Sequence, residues 1–150
     1  MEIILAAGGI ILFGLFDYFG FHISIKKGWA DFGMLNRYRV AQFFVQVFIS
    51  LCIYFISGWF AAIAFNILWW TWWADLVFYF FYDTLRIYGY PRKPGGFKEQ
   101  VVGNKVTWAF WTPLGLLKFG GKHKVLTFRE LIMQSIVGLI LVIIFYFVLR

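Results

Sequence analysis

The sequence predicts an all-α polytopic transmembrane bundle, a single domain with four spanning helices, and three observations predict it. The 150 residues are 62% hydrophobic and 14% charged, with a mean hydropathy of +0.77. Soluble domains are roughly 45–50% apolar, so most of this chain is built for lipid. Four apolar segments reach the about 20 residues that a helix needs to cross a hydrocarbon core of about 30 Å. Lysine and arginine cluster between particular segments and are nearly missing from the others.

The first span is expected at about 3–25, ending at Lys26-Lys27. A secretory leader would open with positive charge, but here Met1-Glu2 precede the apolar run and the first Lys follows it. The segment is therefore expected to be retained as a helix. From Val40 to Tyr82 the chain carries no Lys, Arg or Glu, and Asp75 is its one acid. That is about twice one span, and Ser57-Gly58-Trp59 is the natural turn, so a hairpin of two helices is expected at about 39–57 and 59–85. The last span is expected at about 128–149, opened by Thr127-Phe128-Arg129-Glu130. This has the capping-box form, in which the Thr and Glu side chains satisfy the first free N–H groups of a helix.

A fifth apolar run, at about 106–117, would be only about 18 Å long as a helix and contains Pro113. It is expected to be interfacial or re-entrant. A five-span alternative would need neighbouring helices to shield this short segment. If the run does not cross, every Lys and Arg except Arg150 falls on one side of the membrane. The positive-inside rule then makes that side cytoplasmic and puts both termini on the non-cytoplasmic side of the cell membrane. The same topology explains the net charge of +7 without a nucleic-acid partner. Membrane lipids are the expected surroundings, and the basic connection from Arg86 to Arg129 would attract anionic headgroups.

Ionisable groups at membrane depth cost roughly 2.5–3.5 kcal/mol each on insertion scales, so each calls for a reason. Asp17 and His22 fall in the first span, and Asp75 and Asp83 in the third. Counting from the nearest basic residue at 1.5 Å per residue, Asp17 lies about 14 Å deep and Asp75 about 16 Å. The two acids are expected to share a layer near mid-membrane, with Gln42, Gln46, His22 and Asp83 closer to the cytoplasmic ends. Asp17 shares a helix face with Gly14 and Gly20, which admit a close neighbour. Thr71, Asp75, Tyr79 and Tyr82 share a face of the third span, and Glu130, Gln134 and Gly138 a face of the last.

Asp17 and Asp75 are the candidate catalytic or proton-handling groups, with Gln46 and Tyr79 in support. Carboxylates with one imidazole also suit a divalent cation, for which Asp17, Asp75, Asp83 and His22 are the candidate ligands. The alternative is that these acids tie helices together by hydrogen bonds, and that Asp83 pairs with Arg86 one turn on. Cys52 is the sole cysteine, which excludes an intramolecular disulfide and a cysteine-based metal site.

Trp69, Trp70, Trp72 and Trp73 surround Thr71 near the centre of their span, away from the interfaces where tryptophan usually anchors. They suit the wall of a cavity for a flat or apolar ligand, helix packing, or contact with a protein partner. Asp31-Phe32-Gly33 lacks the rest of a kinase, and Gly115 to Lys122 misses the phosphate-loop spacing. No motif identifies a family.

The preferred expectation is a cytoplasm-facing acidic pocket that binds or acts on a lipid-like or hydrophobic molecule, with or without a cation. One alternative is an accessory subunit docking through its Trp-rich helix and basic loop, which would leave Trp69 and Trp73 exposed. A second is a small oligomeric channel or transporter with Asp17 or Asp75 on its path.

Overall fold

A computed structural model describes residues 1–27, 37–85 and 126–148. The expected interfacial run at about 106–117 lies outside these residues. The described residues form α1 (Glu2–Lys26), α2 (Arg37–Ser57), α3 (Trp59–Trp70), α4 (Trp73–Leu85) and α5 (Phe128–Val148), and no β-strand forms among them. Three segments are long and apolar enough to cross a membrane, namely Glu2–Ser24, Arg37–Ser57 and Phe128–Val148. The pair α3 and α4 passes the same test when taken together.

Both expected helix boundaries with specific chemistry form as read. Gly58 alone separates α2 from α3, at φ 86° and ψ −179°. This backbone region is almost exclusive to glycine, because a Cβ would collide with the neighbouring peptide. At the start of α5 the Thr127 N–H donates to Glu130 Oε2 at 2.8 Å, and the Glu130 N–H donates to Thr127 Oγ1 at 3.2 Å. This is the reciprocal capping box.

The segment expected as the third span departs from a single helix. The sequence predicts one helix over 59–85, but the chain breaks at Thr71-Trp72 and turns by 65°. Trp72 sits at φ 79°, outside the right-handed region and costly for a bulky side chain. Its neighbours hold it there. The Trp72 ring is 1% exposed and lies edge-on to Phe128 at 5.3 Å. Carbonyls released by the break find donors on α5. Ser135 Oγ donates to Thr71 O at 2.9 Å, and Gln134 Nε2 donates to Trp70 O at 3.0 Å. In return, Trp73 Nε1 donates to Ser135 O at 2.9 Å. A broken helix survives in a low-dielectric interior only when its loose backbone groups are satisfied in this way.

Pairwise contacts set the helix directions. Gly9 faces Ile53 while Asp17 meets Tyr38 and Gln42, so α1 and α2 are antiparallel. Phe13 meets Trp69 at 5.5 Å, Tyr18 meets Phe78 at 6.2 Å and His22 meets Tyr82 at 6.2 Å, so α3 and then α4 run alongside α1 in its own direction. Phe60 meets Tyr146 and Trp72 meets Phe128, so α5 is antiparallel to α3.

The core forms two clusters. One gathers Ala6, Ile10 and Phe13 of α1 with Ile49 and Ile53 of α2 and Phe65 and Leu68 of α3. The other joins Tyr18, Trp72, Phe78 and Tyr79 to Leu126, Phe128 and Leu131. Outward faces are as apolar as the core, with Phe44, Phe48, Phe55 and Ile144 all exposed. Such a surface suits lipid. In lipid, helix association rests on close packing and hydrogen bonds rather than on expulsion of water.

Candidate functional site

The candidate site is built on α1. Asp17 is 4% exposed and faces α2. Tyr38 OH donates to Asp17 Oδ1, as does Gln42 Nε2 at 2.6 Å. Gln42 Nε2 also donates to Tyr38 OH at 3.2 Å, and Arg39 Nη1 donates to Gln42 Oε1 at 3.1 Å. Tyr38 and Gln42 stand one helical turn apart, so both reach the same carboxyl. The close approach expected at Gly14 and Gly20 is realised at Gly14 alone, since the space at Gly20 would admit a Cβ. A Cβ on Gly14 would lie 2.5 Å from Val77 Cγ1, and one on Gly20 would lie 3.8 Å from the Tyr38 ring.

The apolar pattern starts the second helix at residue 39 and leaves Tyr38 in the loop, whereas α2 begins at Arg37 and includes it. Its signal was present, because Tyr38, Gln42, Gln46, Ile49 and Ile53 follow helical spacing and are all buried. Tyr38 lies in the first turn of α2, so Asp17 sits within one long side chain of that helix end. The depth of about 14 Å counted along α1 alone overstates its distance from the basic end, because α1 extends past the start of α2.

Asp75 occupies the first turn of α4, part-buried and level with Asp17. The level follows from flanking contacts, since Gly14 lies against Ala74 and Tyr18 against Phe78. Asp75 feels the charges of both Asp17 and Arg39. Its carboxyl accepts a hydrogen bond from its own backbone N–H and from no other group among the described residues. The break at Trp72 matters here too. It creates a helix N-terminus within the bundle, where free N–H groups favour negative charge. A continuous helix would have put Asp75 in mid-helix without that support.

His22 is buried but turned away from this layer. Its Nδ1–H donates to Tyr18 O at 2.6 Å, and its ring stacks on Tyr82 at 6.2 Å. The side chain of Asp83 lies outside the described residues. Among the described residues no group of three or more His, Cys, Asp or Glu side chains converges in a way that could hold a metal ion. Asp17 and Asp75 are therefore the two candidates that the fold brings together. Tyr79 is 1% exposed and packs against Trp72 and Phe78 in the second core cluster.

Gln46, 5% exposed, belongs to a second polar cluster. Its Nε2 donates to Asn66 Oδ1, and Asn66 Nδ2 donates to Ser50 Oγ at 2.6 Å and to Ala62 O at 2.8 Å. The tryptophans serve the fold. Trp69 is 9% exposed against Phe13, Trp72 is sealed in the second core cluster and Trp73 is tied to α5, which leaves Trp70 as the exposed member of the run. The exposed Trp69 that a docking face would require is not found.

No protein-family model, curated protein or solved structure matches this chain.

Proposed function

We propose that the chain is a four-span integral membrane protein that binds the positively charged or protonatable group of a lipid-like or hydrophobic molecule on the Asp17 and Asp75 carboxyls, entered from the cytoplasmic end. One observation carries this reading. Among the described residues, two carboxyls from different helices share a layer with one guanidinium, that of Arg39, and Asp17 is locked in place while the Asp75 carboxyl accepts from no side chain. Two anions against one cation leave a negative charge, which a proton, an ammonium group or a metal ion neutralises.

Helix directions support the span count. Because α3 and α4 together accompany α1 from Gly9 to His22, they advance through the bundle rather than doubling back, as a re-entrant loop would. With α2 and α5 running the other way, both termini lie on one side. The described ends of the 27–37 and 85–126 connections then lie on the other, beside Lys27, Arg37, Arg39 and Arg129, and the positive-inside rule makes that side cytoplasmic. A second reading, transport of the bound cation, draws on the break beside Asp75, since discontinuous helices build the midplane sites of many transporters.

The test is binding of a long-chain alkylammonium and of an uncharged detergent with the same chain to the protein in nanodiscs, followed by tryptophan fluorescence. Loss of one charge-assisted contact is worth roughly 1.5–3 kcal/mol, so Asp75→Asn should weaken the ammonium at least about tenfold and leave the neutral ligand unchanged. Equal affinity of both ligands for wild type and variant would refute the reading. Elemental analysis of wild type beside Asp17→Asn and Asp75→Asn separates the metal case, in which stoichiometric metal would be lost from both variants.

A further inference from the structure

The polar residues of α2 extend beyond the carboxyl layer. Tyr38, Gln42, Gln46 and Ser50 recur every fourth residue, one stripe turned inward against α1 and α3. The first two belong to the Asp17 cluster and the last two to the Asn66 cluster. Between the clusters one atom is left over. Gln46 Oε1 is buried and has no hydrogen-bond partner among the described residues.

The hydrogen-bond network itself dictates which amide atom is left. Asn66 gives its NH2 group to the Ala62 carbonyl, so its oxygen faces Gln46. Gln46 must therefore present its own NH2 to Asn66 and turn its oxygen elsewhere. Gln42 cannot serve that oxygen, because its NH2 already donates to Asp17 and to Tyr38. A buried carbonyl oxygen without a donor is costly and is commonly met by an ordered water when neighbouring groups are polar.

One turn further on, the polarity stops. Gly9 lies against Ile53 and Phe65, and all three are surrounded by the apolar residues of the first core cluster. We propose that the seam between α2 and α1/α3 is hydrated from the basic end as far as Gln46 and Ser50, with water donating to Gln46 Oε1, and is closed beyond by the Gly9, Ile53 and Phe65 layer. The seam is a blind, water-filled branch of the Asp17 site. It deepens the functional reading above by giving the carboxyls aqueous contact from one membrane face only, but its existence does not depend on which cation they bind.

Single cysteines in a Cys52→Ala background test it. Gln46→Cys, Ser50→Cys, Ile53→Cys and Phe48→Cys are placed in oriented vesicles and exposed to a charged, membrane-impermeant methanethiosulfonate, which reacts with thiols in contact with water. Modification of Gln46→Cys or Ser50→Cys from the basic face, at least about tenfold faster than of Phe48→Cys and Ile53→Cys, is expected. Ser50→Cys is nearly isosteric and reports on the seam if Gln46→Cys does not fold. Rates at positions 46 and 50 no faster than at the lipid-facing position 48 would overturn the proposal. Equal modification of Ile53→Cys would overturn the closure. Neither readout involves ligand binding at Asp75, so failure here and failure of the ammonium test are distinguishable.

Discussion

At the scale of single residues, Asp17 is held by the Tyr38 hydroxyl and the Gln42 amide. Tyr38→Phe removes the hydroxyl and keeps the ring against Gly20. Hydrogen bonds to charged groups contribute roughly 1.5–3 kcal/mol, while interhelical bonds in membranes average nearer 0.6, so a loss of about 1 kcal/mol is expected in reversible unfolding in detergent. Asp17→Leu should cost more than Asp17→Asn, because leucine removes the side-chain acceptor that the Tyr38 and Gln42 donors share. An unfolding series that ranked these two in the opposite order would show that the carboxyl is not what holds the network. Gly58→Ala belongs to the same scale. At φ 86° and ψ −179° a Cβ is strained whatever the space around it. A loss of about 1–3 kcal/mol is expected in the same assay.

At the scale of elements, the joint between α3, α4 and α5 is held by hydrogen bonds across the break. α5 supplies donors to Thr71 O and Trp70 O, and its Gly138 lets the backbone approach, since a Cβ there would collide with the Thr71 side chain. Ser135→Ala deletes one donor and is expected to cost about 1 kcal/mol. Gly138→Leu forces the helices apart and is expected to cost several times more, with the Trp73 to Ser135 bond lost as well. Thermal unfolding followed by tryptophan emission measures both. If Gly138→Leu proved as stable as wild type, α5 would not be docked on the break. The sequence places Gln134 and Gly138 on one face of α5 but does not show that this face meets a kink. The run of apolar and aromatic residues from 59 to 85 reads as one continuous helix, and nothing local to Thr71-Trp72 contradicts that. Only a partner helix carrying donors at the right level makes the break tolerable in a nonpolar medium.

For the whole molecule, the helix directions predict an even number of crossings. In a Cys52→Ala background, Asp31→Cys and Gln100→Cys should be labelled from one face of the membrane by an impermeant maleimide, and Trp59→Cys and Arg150→Cys from the other. Labelling of Gln100→Cys together with Arg150→Cys would mean that the bent pair or the run at about 106–117 alters the crossing count. The outward surface of α2 and α5 exposes Phe44, Phe48, Phe55 and Ile144, as suits a helix bundle in lipid.

Sequence by itself determined the class of molecule, the place of the α2–α3 turn, the start of α5 and the acids worth watching. These follow from properties that act locally. Length of an apolar run, the glycine in Ser57-Gly58-Trp59 and the capping box each depend on a few neighbouring residues and on the medium. Tertiary structure alone decided the rest. It joined Asp17 to Tyr38 and Gln42 while turning His22 to Tyr18 and Tyr82, buried Trp69 and Trp72, and broke the helix expected over 59–85. Helical phase states which residues of one helix share a face. It does not say which faces meet, because in lipid the outward faces are as apolar as the core, and only packing, hydrogen bonding and the match of small residues to large ones select the partner.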